Sequence, residues 1–146
     1  MGTTSTREAV SAAVERLAPV IRPIAKAELR LVGLYLFGSR AVGEAHAASD
    51  FDLGALFTAP LDVWELLGLE ARLAEAVGAD VDLVDAAAAS PFLALDVVCG
   101  ERLYCSDTDA CDAFDLYVLR RAGDLAPFER QRRNLLLGRG AQPVSS

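Results

Sequence analysis

Two aspartates, Asp50 and Asp52, stand one residue apart at the start of the apolar run FDLGALF. A second acidic pair, Asp80 and Asp82, opens the run DVDLVD, residues 80–85. Side chains alternate along a strand, so Asp50 and Asp52 share one face. Asp80 and Asp82 likewise share one face, with Asp85 on the other. Carboxylates on a common face repel unless a cation lies between them. Mg2+ suits the role because it takes oxygen ligands and completes its shell with waters and substrate phosphates. If the two strands are neighbours, Asp82 completes a triad with Asp50 and Asp52, with Asp80 its rival on the same face. Such a triad supports phosphoryl-type chemistry with two metal ions, one activating a nucleophile and one stabilising the leaving group.

Just upstream, the apolar run RLVGLYLF (30–37) stops at Gly38-Ser39. A small residue at a strand end lets backbone N–H groups approach a phosphate, and a helical turn after it adds positive dipole character. The Ser39 hydroxyl offers another donor, and Arg40 is a candidate phosphate contact. The ten residues between Ser39 and Asp50 suffice to return the chain to the same end of a sheet. Gly-Ser turns and Asp-x-Asp strand starts are each common. Their combination at this spacing, followed by an aspartate in a later apolar strand, is specific.

These residues need elements to hold them. Ser5 and Glu8 form a capping box ahead of Val10, Val14, Leu17 and Ile21 at helical spacing, and Pro19 and Pro23 end or bend that helix. Strands follow at 30–37 and 51–57. Asp62 caps a helix with an apolar stripe of Val63, Leu66, Leu69, Leu73 and Val77, stopped by Gly78. A third strand spans 80–85. Ser90 caps a helix through Val98 to Gly100, and 102–105 reads as a short edge strand. Asp107 or Ser106 opens a last helix with Phe114, Val118, Leu125 and Phe128 as core contacts, interrupted by Gly123 and Pro127. Tyr35 and Trp64 read as core residues, and His46 as an exposed loop residue. The order implies an α/β (α+β) fold, a small mixed sheet flanked by helices. It reads as one domain over 1–146, with an ordered core of about 5–137 and a flexible Gly/Pro/Ser-rich tail.

Composition narrows the function. With 146 residues, 53% of them hydrophobic, the chain fits one globular core. No apolar run has the length of a membrane span, and the N-terminus lacks a secretory signal, which points to the cytoplasm. Gly2 and Thr6 match the loose myristoylation pattern, but a helix-capping segment explains them better. A net charge of −7 disfavours direct nucleic-acid binding. Arginines nonetheless gather late: six between Arg120 and Arg139, against Asp124 and Glu129. Cys99, Cys105 and Cys111 show no zinc-ligand spacing and read as free thiols in a reducing compartment.

Gly38-Ser39, then Asp50-x-Asp52, then VDLVD resembles the minimal nucleotidyltransferase domain of the DNA polymerase β-like superfamily. The stretch FGSRAVGEAHAASDFDLGAL is similar to that of bacterial MNT proteins, the antitoxin partners of HEPN-domain toxins. GERLYCSDTDACDAFDLYVLRRAGD is similar to the C-terminal pattern of that group. The resemblance covers roughly residues 5–135. It implies a polymerase β-like fold in which Asp50, Asp52 and Asp82 hold two Mg2+ ions and Asp82 helps to activate the acceptor hydroxyl. It also implies that Gly38 and Ser39 bind the triphosphate of ATP. The implied reaction transfers AMP to a tyrosine of a HEPN ribonuclease, silencing it within a hetero-oligomer. The chain departs from the family pattern where Gly123, Pro127 and arginines replace late aromatic residues. Two other functions fit the residues: a small-molecule nucleotidyltransferase of the aminoglycoside type, and an antitoxin that masks its partner by contact alone.

Overall fold

The computed structural model describes residues 2–38 and 51–136, and the side chains of 12–38 and 51–125. In chain order the elements are α1 (Gly2–Ala27), β1 (Leu31–Phe37), β2 (Phe51–Phe57), α2 (Val63–Val77), β3 (Val81–Asp85), α3 (Pro91–Val98), β4 (Glu101–Cys105) and α4 (Thr108–Leu136). The four strands form one sheet in the order β3-β2-β1-β4. β1 runs antiparallel to both β2 and β4, whereas β2 and β3 are parallel. The parallel pair exists because α2 carries the chain back before β3 starts. The small mixed sheet flanked by helices is the architecture that the order of elements implied, and β4 is an edge strand as expected.

Side-chain alternation divides the core in two. Leu34, Leu36, Leu53, Ala55 and Leu83 face α1 and α2, where Leu17, Ile21, Ala25, Leu69 and Leu73 are buried. Tyr35 and Phe37 face the other way, against Val97 and Leu93 of α3 and Phe114 of α4. Val32, Leu56 and Cys111 extend that second layer. A side chain at Gly54 would run into Val97, so this glycine lets α3 lie tight on the sheet.

α2 matches its sequence signals. The Asp62 carboxylate accepts from Glu65 N at 2.8 Å, Glu65 returns the bond to Asp62 N at 3.0 Å, and Gly78 closes the helix in the left-handed region. α4 starts as expected, with the Asp107 carboxylate accepting from Ala110 N at 3.1 Å. Four expectations are corrected. α1 begins at Gly2, which leaves Ser5 inside the helix, and it continues through Pro19 and Pro23. Each proline removes one helical bond, to the carbonyls of Glu15 and Pro19. Glu15, Pro19 and Pro23 all lie on the exposed side, where water can replace those bonds, while Leu17, Ile21 and Ala25 anchor the buried side. α4 likewise passes Gly123 and Pro127, and the carbonyl freed by Pro127 belongs to exposed Gly123.

Trp64 is 78% exposed, and Val63, assigned to the apolar stripe, is 62% exposed. At about 100° per residue Trp64 lies roughly opposite the buried Leu69 and Leu73. The fourth correction concerns sulfur: Cys105 and Cys111 form a disulfide, with Cys99 free and exposed. The Asp107-capped turn doubles the chain back from β4 into α4 and brings their Cα atoms to 6.8 Å.

Two polar devices fasten α2 to the body. Arg30, ahead of β1, bonds Glu28 at 3.0 Å and Glu65 at 2.8 Å, and Arg72 stands 3.7 Å from Glu28. Glu70 accepts from the Leu83 N–H at 2.8 Å, satisfying a backbone donor that edge strand β3 would otherwise leave open.

Candidate active site

The end of β1 meets the starts of β2 and β3 at one edge of the sheet. There Phe37 is the cross-strand partner of Asp52, and Asp52 is the partner of Asp82. Phe51 N donates to the Asp80 carbonyl at 2.9 Å, which sets the parallel register at its first step. Neighbouring strands lie about 4.8 Å apart, so residues in register on one face are adjacent. Phe51, Leu53, Ala55 and Phe57 take the buried face toward α1 and α2. Asp52 therefore falls on the opposite face, half-buried, beside exposed Asp82.

Gly38 closes the arrangement. Its φ of 83° lies in the left-handed region, and a Cβ there would overlap the Asp52 carboxylate. The glycine is required twice, once by its backbone and once by the space that the carboxylate fills. Gly38, at the end of β1, is thus pressed against the Asp52 carboxylate.

The structure brings Gly38, Asp52 and Asp82 together. Ser39, Arg40, Asp50 and His46 lie outside the described residues. Asp80 precedes β3 and uses its carbonyl to pair with Phe51, so it is Asp82 that stands in register with Asp52. Asp85 points to the other face by alternation, and its carboxylate accepts from Ala87 N at 3.1 Å. Among the described residues no group of three or more His, Cys, Asp or Glu could hold a metal ion. The donors that are described, two carboxylates in register, are hard oxygen ligands of the kind Mg2+ takes.

Two neighbouring features were not read from the sequence. Arg16 of α1 sets its guanidinium 6.0 Å from the centre of the Phe51 ring, next in sequence to Asp52. Behind the site, Tyr35 is buried as expected and donates its hydroxyl to Asp115 at 2.7 Å. Arg102 binds the other Asp115 oxygen at 2.7 Å and Asp112 at 3.0 Å, and lies 5.8 Å from the Tyr35 ring centre. Burial, reinforced by the Asp115 carboxylate, holds the Tyr35 hydroxyl firmly protonated, well above its ordinary pKa. This network joins β1, β4 and α4. Its only trace in the sequence is a pair of aspartates three residues apart on a helix, able to face one arginine.

Residues 20–109, more than half of the chain, match the family described as polymerase beta, nucleotidyltransferase. Protein adenylyltransferase MntA of Shewanella oneidensis is 40% identical over 77 residues, which cover 52% of this chain and 55% of that protein. The chain thus spans about half the length of this curated relative. Among solved structures, a toxin-antitoxin with AMP-PNP aligns at a TM-score of 0.71 and 28% identity, covering 82% of this chain and 98% of the other. A mutant of the MntA-HpeT toxin-antitoxin aligns at 0.69 and 29% identity, covering 80% and 94%. With the family match running from α1 into the first turn of α4, this chain belongs to the polymerase beta nucleotidyltransferase family.

Proposed function

We propose that this chain is an antitoxin that works as a protein adenylyltransferase, moving AMP from ATP to a tyrosine hydroxyl of a cognate HEPN ribonuclease toxin. The observation that carries the reading is the register of Asp52 with Asp82 beside the Gly38 turn. Its support from relatives is the likeness to MntA, a protein adenylyltransferase, and to a toxin-antitoxin with AMP-PNP. The nucleotide and the toxin partner are carried over to this chain from those proteins.

In this reading Asp50, Asp52 and Asp82 hold Mg2+, and Gly38, Ser39 and Arg40 bind the triphosphate. The ions, when bound, supply positive charge for the oxygens of the transferring phosphoryl group and of the departing pyrophosphate. Gly38 keeps the backbone close to the phosphates and leaves the Asp52 carboxylate its room. Asp82, exposed, takes the proton of the incoming tyrosine hydroxyl. The tyrosine oxygen forms a bond to the α-phosphorus, the bond from that phosphorus to the bridging oxygen breaks, and pyrophosphate leaves with the electron pair. No helix among the described residues is long and apolar enough to cross a membrane, and we place the reaction in the cytoplasm.

The test co-expresses the chain with a HEPN-domain toxin and weighs the toxin by mass spectrometry. The expected result is a mass increase of one or more AMP units. Asp52→Asn should lose both the added mass and toxin neutralisation while still co-purifying with the toxin. Undiminished neutralisation by Asp52→Asn would favour masking by contact. Pyrophosphate release driven by an aminoglycoside, with no protein acceptor, would favour small-molecule transfer.

A further inference from the structure

The ladder registers run one row of residues across the sheet at the site. Arg102 pairs with Tyr35 and Glu101 with Leu36, so the preceding residue, Gly100, lies opposite Phe37. Phe37 pairs with Asp52, and Asp52 with Asp82. The row is therefore Gly100, Phe37, Asp52 and Asp82.

Gly100 meets this row through bare backbone. A Cβ there would overlap the Leu36 carbonyl oxygen and come within 3.0 Å of Phe37 Cβ. Its φ is not in the left-handed region, so room, and not backbone conformation, is what requires glycine at this position. The close approach is held from behind. Gly100 N donates to the Val97 carbonyl at 3.0 Å, and Cys99 N to the Leu95 carbonyl at 3.0 Å, which fixes Gly100 to the end of α3. Val97 is fully buried, and a Cβ on Gly54 of β2 would overlap its side chain. The end of α3 thus grips β2 through Val97 and β1 through Gly100. On the other side of the contact, Phe37 is the last residue of its strand, and Gly38 follows it against the Asp52 carboxylate. Of the two backbones, the strand end is the one that yields.

We propose that Gly100 is a positioning residue for AMP transfer: its missing side chain lets Leu36 and Phe37 lie where they seat Gly38 against Asp52. This inference rests on the nucleotidyltransferase reading above. It gives the end of α3, which carries none of the proposed metal or nucleotide ligands, a part in building the site.

Gly100→Ala tests it. The added methyl must push the end of β1 by about an ångström, and misplacement on that scale costs about 100-fold in rate. The assay follows pyrophosphate release with ATP, Mg2+ and a HEPN-domain toxin as acceptor. The kcat/KM for ATP should fall by about 100-fold while the KM for the toxin stays within about threefold, a split that general loosening of the fold does not produce. Because Gly100 acts through Gly38, the two losses should not multiply: the double variant of Gly38→Ala with Gly100→Ala should lie within about threefold of Gly38→Ala alone. Gly33→Ala is the control. Its methyl would meet Cys111 Sγ at 3.0 Å, so it strains the same strand away from the site and should keep transfer within about threefold of wild type. Transfer by folded Gly100→Ala within threefold of wild type, or a double variant whose losses multiply, would overturn the inference and leave the nucleotidyltransferase reading standing. Equal losses in Gly33→Ala and Gly100→Ala would overturn it too, by reducing both to general strain. Should Gly100→Ala not fold, Val97→Ala takes its place, because it adds no atom and removes the anchor behind Gly100. It should lower kcat/KM for ATP by about tenfold with the KM for the toxin unmoved, and an unchanged kcat/KM would overturn the inference. No transfer by the wild-type chain would overturn the nucleotidyltransferase reading itself.

Discussion

Gly38→Ala separates the backbone from the site. The substitution places a methyl group at a φ of 83°, which costs a residue with a side chain about 1–2 kcal/mol. For a chain of 146 residues the unfolding entropy is roughly 0.3 kcal/mol per degree, so Tm should fall by about 3–6 °C. The same methyl overlaps the Asp52 carboxylate, which must retreat by about an ångström, and misplacement on that scale costs about 100-fold in rate. Gly78→Ala supplies the control. Gly78 has a φ of 76° and nothing within 4 Å of its would-be side chain, so it carries the backbone cost without the collision. Both variants should melt a few degrees early. Only Gly38→Ala should lose AMP transfer, read as pyrophosphate release with ATP and the toxin acceptor. If Gly38→Ala transfers AMP at a rate within threefold of Gly78→Ala, the Gly38–Asp52 contact has no part in the chemistry.

Asp82→Asn should lower turnover by about 10²–10⁴ without altering Tm, whereas Asp80→Asn should change turnover by less than threefold; steady-state kinetics on the two variants decides between them. Tyr35→Phe removes the hydroxyl bond to Asp115 and should cost about 1–2 kcal/mol, seen by calorimetry as a Tm lower by about 3–6 °C. Acid should loosen the seam between α1 and α2. Hydrogen bonding from Arg30 holds Glu28 below the usual carboxylate range against its burial, and the Asp62 N–H, with Arg30, holds Glu65 low. Both groups are depressed in the folded state, so their contribution is complete above the ordinary carboxylate pKa and lost as pH falls through the folded values. Urea midpoints measured from pH 7 to pH 3 should fall across that window, and more gently in Glu28→Gln.

The sequence by itself determined what depends on near neighbours. The bounds of β2, the capping box of Asp62 and Glu65, the Gly78 stop and the Ser90 cap are contacts within a few residues, and each was legible from residue type and spacing. So was the parity that puts Asp85 on the face away from Asp82. Local rules misled where packing outweighed them. Pro19, Pro23 and Pro127 read as helix breakers, yet each lost bond falls on a carbonyl that water can reach while the opposite side of α1 is clamped by Leu17 and Ile21. Trp64 read as core because hydrophobicity alone does not say which side of a helix meets the sheet. Only the tertiary structure decided that β3 lies beside β2 in parallel, with Asp82 and not Asp80 opposite Asp52, because register is set by a ladder between segments about thirty residues apart. The pressing of Gly38 against Asp52, the Cys105–Cys111 bond and the bracing of Tyr35 by Asp115 and Arg102 were decided there too. Each depends on where two distant backbones cross, and a pattern along one chain cannot supply that distance.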